Sequence, residues 1–264
     1  MINNVPRYTN LILQIPKRKA FLADAQRNYK ALKSFFDRKL EIVNSLSLDP
    51  LVIEFLNSFT PSTCTSNHPE FSTIVSYLKT CFEEDDLQQS FLGICVNSDV
   101  IDSNGRTRLS DCKSKLQAIH SLADWICYNE AISSNGQSTV TLPYKDFSGL
   151  YNMSFAKAVT NSEDGKNIGV IGFDVNLRSV IKAFRPSSYF IIAGPEGQIL
   201  YSSYCAIEQC LERKYNLKML VSPTTYKKIL SRDNEYIYDK IDSHYSHIWS
   251  LPIIDDKYYF IAFN

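Results

Sequence analysis

Apolar residues recur every three or four positions over residues 17–46 of the chain. They are Phe21, Ala25, Tyr29, Leu32, Phe36, Leu40, Val43 and Leu46. This spacing predicts one apolar stripe on an α-helix, with lysine, arginine and aspartate on its other faces. At 1.5 Å of rise per residue such a helix is about 45 Å long. We therefore predict a stalk-like or dimer-forming element that follows an irregular start closed by Pro16.

Shorter elements follow the long helix. Asp49 and Pro50 are typical capping and first-turn residues, so they predict a second helix at 51–59. Periodic apolar patterns predict further helices at 71–82, 115–132 and 177–184. Short apolar runs bounded by turn residues predict strands at 91–96, 138–142, 151–159 and 167–175. The last two strands are joined by a hairpin turn at 162–165.

The pattern after Pro186 repeats the first half in outline. Strands are predicted at 189–193, 198–203, 235–241, 247–253 and 257–263, and helices at 206–214 and 224–231. The sequence therefore predicts an α+β fold, in which a long N-terminal helix precedes two modules. Each module has an antiparallel sheet with helices between its early and late strands. We divide the chain into the two first helices (1–60), a first module (61–184) and a second module (185–264).

Charge and composition narrow the class of protein. The 264 residues include 28 Lys+Arg and 28 Asp+Glu, so the formal net charge is zero. A general nucleic-acid binder needs a basic surface, so we expect no nucleic-acid partner. With 44% hydrophobic and 21% charged residues the composition is that of a folded globular protein. No apolar run approaches the roughly 20 residues that span a bilayer.

Motifs for metal or catalytic chemistry are missing from the sequence. The seven cysteines include no CxxC pair, so we predict mostly buried thiols and no structural zinc, with a bridge between Cys205 and Cys210 left open. His244 and His247 fall in a strand-like stretch, which predicts a solvated edge instead of a metal site. Neither a GxSxG elbow nor a phosphate-binding loop occurs. We expect no cofactor and no enzymatic activity.

Three motifs, taken in order, give the chain a family resemblance. They are YNEAI at 128–132, LPYKD at 142–146 and GVIGFDVNL at 169–177. The chain here resembles the membrane-distal module of double Cache domains, the PAS-like sensor domains of bacterial transmembrane receptors. That module typically has Tyr-x-x-Ala-Val, then Pro-Tyr-x-Asp, then Gly-Val-x-Gly-x-Asp-[Ile/Val]-x-Leu. The stretch at 189–203 resembles the opening hairpin of the membrane-proximal module.

The resemblance implies a ligand sensor with no enzymatic activity. Such domains lie in the periplasm, outside the inner membrane, between two membrane-spanning helices that this chain does not contain. Their long N-terminal helix often packs against its copy in a homodimer. The output of the parent receptor would be that of a chemoreceptor, a histidine kinase or a diguanylate cyclase. The resemblance places the ligand in the distal module, and we expect the proximal module to be a structural relay.

The resemblance also assigns candidate ligand-binding residues. Amino-acid-binding members use Arg-x-Trp-Tyr, a second Tyr and an Asp, and the matching positions here are Tyr128, Tyr144 and Asp174. The arginine, which would clamp a ligand carboxylate, has no counterpart. One alignment puts Trp125 at its position, and the other puts Ala123 there.

The remaining candidates are aromatic and acidic. They are Trp125, Tyr128, Tyr144, Asp174 and Asp124. Aromatic rings with one or two carboxylates suit a cation, through cation–π contacts and charge-assisted hydrogen bonds. We therefore expect a small-molecule ligand that is amino-acid-like or an amine, with an amine or quaternary ammonium compound favoured.

Structural explanations stay open for four of these residues. Asp174 is also placed to cap the helix at 177–184, Trp125 and Tyr144 fit core positions, and Asp124 fits a solvent-facing position. Tyr151 and His120 lie near the candidates in the sequence without a clear assignment. The alternative function is a spacer that binds no small molecule and serves for dimerisation or protein docking.

Overall fold

The computed structural model of the chain has an α+β fold with two antiparallel sheets. It describes residues 5–80, 87–105, 125–145, 149–182, 189–203, 207–231, 235–241, 244–254 and 257–263. No helix in these ranges is both long enough and apolar enough to cross a membrane.

Three helices open the chain. They are α1 (Val5–Ser47), α2 (Pro50–Asn57) and α3 (Phe71–Thr80). The predicted start of α2 is confirmed, because the Asp49 carboxylate accepts a hydrogen bond of 2.9 Å from the backbone N–H of Leu51 and Pro50 occupies the first turn.

The first sheet contains six antiparallel strands. They are β1 (Leu87–Ile94), β2 (Val100–Asp102), β3 (Thr139–Val140), β4 (Tyr144–Lys145), β5 (Tyr151–Thr160) and β6 (Asn167–Asn176). Their order is β2-β1-β6-β5-β3, and β4 also pairs with β5. Two helices accompany this sheet, α4 (Ile126–Ser133) and α5 (Leu177–Lys182).

Successive side chains of a strand point to opposite faces of the sheet. The two faces of the first sheet are covered by different helices. On one face Phe173 of β6 lies near the buried Lys39 of α1. On the other face Val170 of β6 packs in a buried cluster with Cys127 and Ala131 of α4. The face covered by α4 is the one that carries Asp174.

Gly172 is required at the centre of β6. A Cβ atom there would lie 2.5 Å from the backbone oxygen of Phe155 and 2.6 Å from Cζ of Phe91. Because the Phe155 oxygen belongs to the neighbouring strand, it cannot move aside without disturbing the sheet. The absence of a side chain at Gly172 allows the Phe91 ring to lie across β6.

The second sheet repeats this arrangement with five strands. They are β7 (Tyr189–Ala193), β8 (Ile199–Ser202), β9 (Glu235–Ile241), β10 (His244–Ile254) and β11 (Tyr258–Phe263), in the order β8-β7-β11-β10-β9. The helices α6 (Ile207–Glu212) and α7 (Pro223–Ile229) lie between its early and late strands in the sequence. The predicted fold class, a long helix followed by two antiparallel α+β modules, is confirmed.

Contacts divide the chain into two compact units, Asp37–Val180 and the combination of Met1–Phe36 with Ile181–Asn264. The sequence-based boundaries at residues 60 and 184 remain a prediction. Within the second unit, Tyr29 of α1 packs edge-on against Trp249, with ring centroids 5.7 Å apart, and its hydroxyl donates to the Pro252 oxygen at 2.9 Å.

Two predictions about α1 are wrong. The helix begins at Val5 instead of at residue 17, because Pro16 removes one backbone donor without ending a helix of 43 residues. Its apolar stripe contains the fully buried Lys39, whereas Leu40, which was assigned to the stripe, is only half-buried. Both positions fit the spacing of threes and fours after Phe36, so periodicity alone could not choose between them.

Two further predictions are wrong in the sheet modules. The predicted helix at 115–132 does not continue through Trp125, whose backbone is extended (φ −90°, ψ 117°) and precedes α4. Residues 115–124 lie outside the described ranges. His247 does not lie on a solvated edge, because β10 is an interior strand and the ring is half-buried against Tyr236 and Tyr238.

Candidate functional site

Asp174 is the acidic centre of the candidate site. It lies on β6 on the face covered by α4, and its side chain is 9% exposed. Its neighbours on the adjoining strands are Gln89 of β1 and Ser154 of β5. A carboxylate so far removed from water requires hydrogen-bond donors or a cation close by.

Two hydroxyl groups meet the Asp174 carboxylate. Ser154 Oγ donates to Asp174 Oδ1 at 2.6 Å, and the Tyr144 hydroxyl donates to the same oxygen at 2.9 Å. The two hydroxyl oxygens are themselves 2.7 Å apart. The three side chains form a closed triangle of oxygen atoms, which we call the Asp174 triangle.

Backbone pairing places both hydroxyls. Tyr144 lies on β4 opposite Asn152 of β5. Thr141, which follows β3, makes two hydrogen bonds to Ser154: its backbone N–H donates to the Ser154 carbonyl at 2.9 Å, and its Oγ1 accepts from the Ser154 N–H at 2.9 Å. The pairing of β4 with β5 and the contacts of Thr141 thus bring the Tyr144 and Ser154 hydroxyls together.

The electrostatics around the Asp174 triangle favour positive charge. Burial raises the pKa of the Tyr144 hydroxyl, and the Asp174 carboxylate raises it further. Burial also raises the pKa of the Cys127 thiol, with Asp174 again adding to the effect. Both groups therefore stay protonated and neutral at physiological pH. Negative charge beside Asp174 is unfavourable, and a cation would be stabilised there.

Trp125 forms an aromatic pair on the same face of the sheet. Its ring packs on Phe91 of β1, with centroids 4.4 Å apart and planes tilted by 54°. Phe91 lies opposite Gly172, two residues from Asp174 on β6. Trp125 is half-buried beside a cluster that includes Cys127. The ring therefore packs against the core around the site, and its assignment to ligand binding remains a prediction.

Tyr128 points to the other end of the first sheet. Its hydroxyl lies 3.2 Å from Cys95 Sγ, and the Cys95 backbone N–H donates to the Ile168 carbonyl. Ile168 precedes Asp174 by six residues, which is about 20 Å along a strand at ~3.3 Å per residue. Burial and the Cys95 contact raise the pKa of Tyr128. The structure brings Tyr144 and Asp174 together, and it places the Tyr128 hydroxyl elsewhere.

Asp124, Ala123 and His120 lie outside the described residues. The helix-capping explanation for Asp174 is wrong, because Asn176 Oδ1 accepts from the Arg178 N–H at 2.8 Å at the start of α5. Asp174 instead points into the triangle.

Ser154, Thr141 and Phe91 have roles at the site that the sequence analysis did not find. One feature of the sequence pointed to Ser154. It is spaced by two residues from Asn152 and from Ala156 on β5, so all three lie on one face of the strand, and this is the face of Asp174. Serine and threonine are common in sheets, however, and only the strand register distinguishes a donor to Asp174 from a structural hydroxyl.

The described residues offer little for metal or nucleophilic chemistry. Within these ranges no group of three His, Cys, Asp or Glu side chains is placed to hold a metal ion. Ser58 Oγ lies 2.7 Å from His68 Nε2, but the Glu70 N–H donates to His68 Nδ1, so Nε2 carries the hydrogen. This imidazole cannot accept the Ser58 proton, and the pair is not a nucleophile with its base.

Similarity to known proteins is found at the level of structure. No family model and no curated protein matches the sequence. The sensory domain of the Campylobacter jejuni chemoreceptor Tlp3 with isoleucine bound is similar, with a TM-score of 0.67, 15% identity and coverage of 99% of this chain and 97% of that chain.

Two Pseudomonas structures are also similar. The ligand-binding domain of the Pseudomonas fluorescens chemoreceptor CtaA in complex with L-isoleucine has a TM-score of 0.60, 18% identity and coverage of 94% of each chain. The ligand-binding domain of the Pseudomonas aeruginosa chemoreceptor PctB in complex with L-Arg has a TM-score of 0.62, 14% identity and coverage of 93% of each chain. At these identities the likeness is one of fold: the chain has the fold of chemoreceptor sensory domains.

Proposed function

We propose that the chain is the extracytoplasmic ligand-sensing domain, of the double Cache type, of a transmembrane signalling receptor. Its ligand is a small molecule with a positively charged nitrogen, an amine or quaternary ammonium compound, bound by the unit Asp37–Val180. The observation that carries the proposal is the Asp174 carboxylate, which is 9% exposed and accepts its described hydrogen bonds from two neutral hydroxyls.

The hydrogen count in the Asp174 triangle supports a ligand that supplies positive charge. The three oxygen–oxygen contacts are 2.6, 2.7 and 2.9 Å long, but only Tyr144 and Ser154 have a hydroxyl hydrogen to place in them. One contact therefore has no hydrogen of its own or shares one in a weaker bifurcated bond. A cation placed beside the carboxylate of the triangle would be stabilised by charge-assisted hydrogen bonds.

The similar structures support a small-molecule ligand, and their own ligands are amino acids. The Tlp3, CtaA and PctB domains were solved with isoleucine, L-isoleucine and L-Arg, all of which carry an ammonium group. Their ligands also carry a carboxylate, which needs a cationic partner. Because the sequence places Trp125 or Ala123 where an arginine would be expected, we favour an amine over a free amino acid.

A thermal-unfolding screen of matched compounds tests this function. Isobutylamine, choline, L-valine and isobutyrate separate the roles of ammonium, N-methylation and carboxylate. At 100 times its dissociation constant a ligand adds about 2.7 kcal/mol, which raises the midpoint by roughly 5–10 °C at about 2–4 °C per kcal/mol. We expect a shift with the cations and none with isobutyrate.

Matched variants assign the shift to the site. Asp174→Asn should abolish it. Asp239→Asn should preserve it, although Asp239 also accepts hydrogen bonds from two hydroxyls, those of Ser222 and Thr225. A shift with isobutyrate but not with the cations would contradict the proposal. No shift with any compound would favour the ligand-free spacer.

A further inference from the structure

Gln89 is a half-buried amide beside the acid of the candidate site. It lies on β1, directly opposite Asp174 of β6. Side chains of residues that are paired across two strands point to the same face, with Cβ atoms about 5 Å apart. Ser154 pairs with Asp174 from β5, on the other side of β6. The carboxylate therefore lies between a hydroxyl on one neighbouring strand and the Gln89 amide on the other.

Asp102 fixes the orientation of the Gln89 amide. Gln89 Nε2 donates to Asp102 Oδ2 at 2.5 Å, and the backbone N–H of Asn104 donates to Asp102 Oδ1 at 2.8 Å. Asp102 is buried on β2 opposite Phe91, which lies two residues along β1 from Gln89 and on the same face. A carboxylate has no hydrogen to donate, so only the nitrogen of the amide can face it. The Gln89 oxygen therefore points away from Asp102.

The Gln89 oxygen is a hydrogen-bond acceptor next to the proposed ligand position. Within the described ranges, the side-chain hydrogen bond of Gln89 is made by its nitrogen, and its Oε1 keeps its lone pairs for another donor. Groups at paired positions of two strands are close enough to share one partner. An ammonium group held by the Asp174 carboxylate thus meets a second acceptor at Gln89.

We propose that Gln89 Oε1 accepts a hydrogen bond from the ammonium group of the ligand, and that Asp102 is the positioning residue that presents this oxygen. The inference rests on the proposed binding of a cationic nitrogen at Asp174, and it narrows the ligand to an amine with hydrogens on its nitrogen. The Asp174 charge attracts any cation. The Gln89 oxygen interacts most strongly with N–H groups, so the pair selects primary and secondary amines over fully methylated ones.

The size of the selectivity follows from the strength of one hydrogen bond. A hydrogen bond from a charged donor changes a dissociation constant about ten- to a hundredfold. Because Gln89 is only half-buried, water competes for its oxygen, and we expect the lower end, about tenfold. A trimethylated nitrogen has no N–H to donate and keeps only the weaker attraction between its charge and the C=O dipole. Its dissociation constant should depend on Gln89 by less than about threefold.

Stepwise N-methylation of isobutylamine tests the inference, because the primary, secondary, tertiary and quaternary compounds carry progressively fewer N–H groups. With Asp174 and Gln89 as acceptors, the wild type should bind the primary and secondary amines alike and the tertiary amine about tenfold more weakly. In Gln89→Met the primary and secondary amines should bind about tenfold more weakly, and the step at the tertiary amine should disappear. Calorimetry on the whole chain measures each dissociation constant. The same profile in both proteins would overturn the inference.

Asp102→Asn tests the positioning role. The new amide keeps its oxygen on the Asn104 N–H and so presents its own N–H groups to Gln89, whose amide must turn its oxygen toward them. Gln89 Nε2 then faces the ligand, and the primary amine should bind at least about tenfold more weakly, with a smaller loss for the trimethylated compound. An Asp102 with a merely structural role would weaken all four compounds alike, and that result would overturn its role as a positioning residue.

Gln137→Met provides a matched control. Gln137 follows α4 in the same unit, and its side chain is exposed. All four dissociation constants should stay within about twofold of the wild type, and a profile equal to that of Gln89→Met would overturn the inference. Wild-type affinity that does not depend on N-methylation would overturn it as well, while leaving the binding function intact. Failure of the wild type to bind any of the four compounds would instead remove the proposed function on which the inference rests.

Discussion

The central strands of the two sheets pair in the same register, but one row of residues differs in its chemistry. Counted from the first hairpin of each sheet, where Gly93 pairs with Val100 and Ala193 with Ile199, Asp174 corresponds to Phe263. The row that contains Gln89, Asp174 and Ser154 in the first sheet contains Tyr189, Phe263 and Ile248 in the second. The central strands therefore pair alike in both sheets, and the row that holds the acid and its hydroxyl donor in the first sheet is different in the second.

The second sheet fills this face with apolar side chains. Phe263 and Ile248 belong to a buried cluster with residues of α6 and α7. The carboxylate described on that sheet, Asp239, accepts from Ser222 and Thr225, and Ser222 is the N-cap of α7. The fold accounts for Asp239 as part of a helix start, whereas Asp174 has no such role. The comparison is consistent with the proposed placement of the ligand in the first unit.

Moving the acid into the second sheet should have the largest effect. Phe263 is 4% exposed in an apolar cluster, so Phe263→Asp would bury a carboxylate without the hydroxyls that Asp174 has. We expect a loss of more than about 4 kcal/mol in the free energy of unfolding, measured in urea. Phe263→Leu, as a volume control, should cost about 1–1.5 kcal/mol. Near-wild-type stability of Phe263→Asp would show that the two rows have similar environments.

Removing the hydroxyl of Ser154 should have an intermediate effect. Ser154 Oγ contacts Asp174 and Tyr144 at 2.6 and 2.7 Å, so Ser154→Ala leaves a buried carboxylate with one donor fewer. We expect about 1–2 kcal/mol of destabilisation in urea unfolding. Ile248→Val at the corresponding position should cost about 0.5–1.5 kcal/mol through lost volume only. A cationic ligand should restore part of the stability of Ser154→Ala and none of that of Ile248→Val.

Removing the hydroxyl of Ser250 in the second sheet should stabilise the protein, in contrast to Ser154→Ala. Its Oγ is buried, and among the described residues no hydrogen-bond partner is found for it. Ser250→Ala therefore removes a buried hydroxyl that makes no bond, and we expect a gain of about 1 kcal/mol in the free energy of unfolding. Destabilisation comparable with that of Ser154→Ala would mean that the Ser250 hydroxyl has a partner such as a bound water.

The smallest expected effect is a pH dependence of the second unit. Burial lowers the pKa of His247, and the Arg18 guanidinium lowers it further. The unfolded chain, with a histidine pKa of about 6.5, takes up the proton first. Stability from this group is therefore full above about pH 6.5 and is lost as the pH falls through the folded-state pKa. The thermal midpoint of the wild type should rise with pH between pH 5 and 8, and the rise should be smaller in His247→Gln. An equal rise in both proteins would contradict the assignment.

Elements were more predictable from the sequence than the directions of side chains. The strands at 189–193 and 235–241 were predicted with the observed bounds, because turn residues flank both segments. The pairing of Tyr144 with Asp174 was suggested by family spacing. Tyr128 was assigned to the same site from the same spacing, but its hydroxyl contacts Cys95. Spacing fixes where a residue lies in the chain, whereas tertiary packing decides where its hydroxyl points.

Lys39 and Ser154 show what local patterns could not supply. From its hydropathy, a lysine is normally assigned to the polar face of a helix. The burial of Lys39 near Phe173 was therefore seen only from the packing of α1. Ser154 became a donor only through the register of β5 against β6. Both depend on contacts between residues far apart in the sequence, which periodicity does not encode.

Gly172 has a consequence for how such a site can evolve. Even a methyl group at this position would collide with the Phe155 backbone oxygen, so the strand that carries Asp174 cannot acquire new side chains there. Under the proposed function, changes of ligand preference arise on neighbouring strands, at positions such as Ser154 and Tyr144. The centre of β6 keeps its backbone position, and sequence differences among proteins of this fold that share the glycine should be concentrated on the strands beside it.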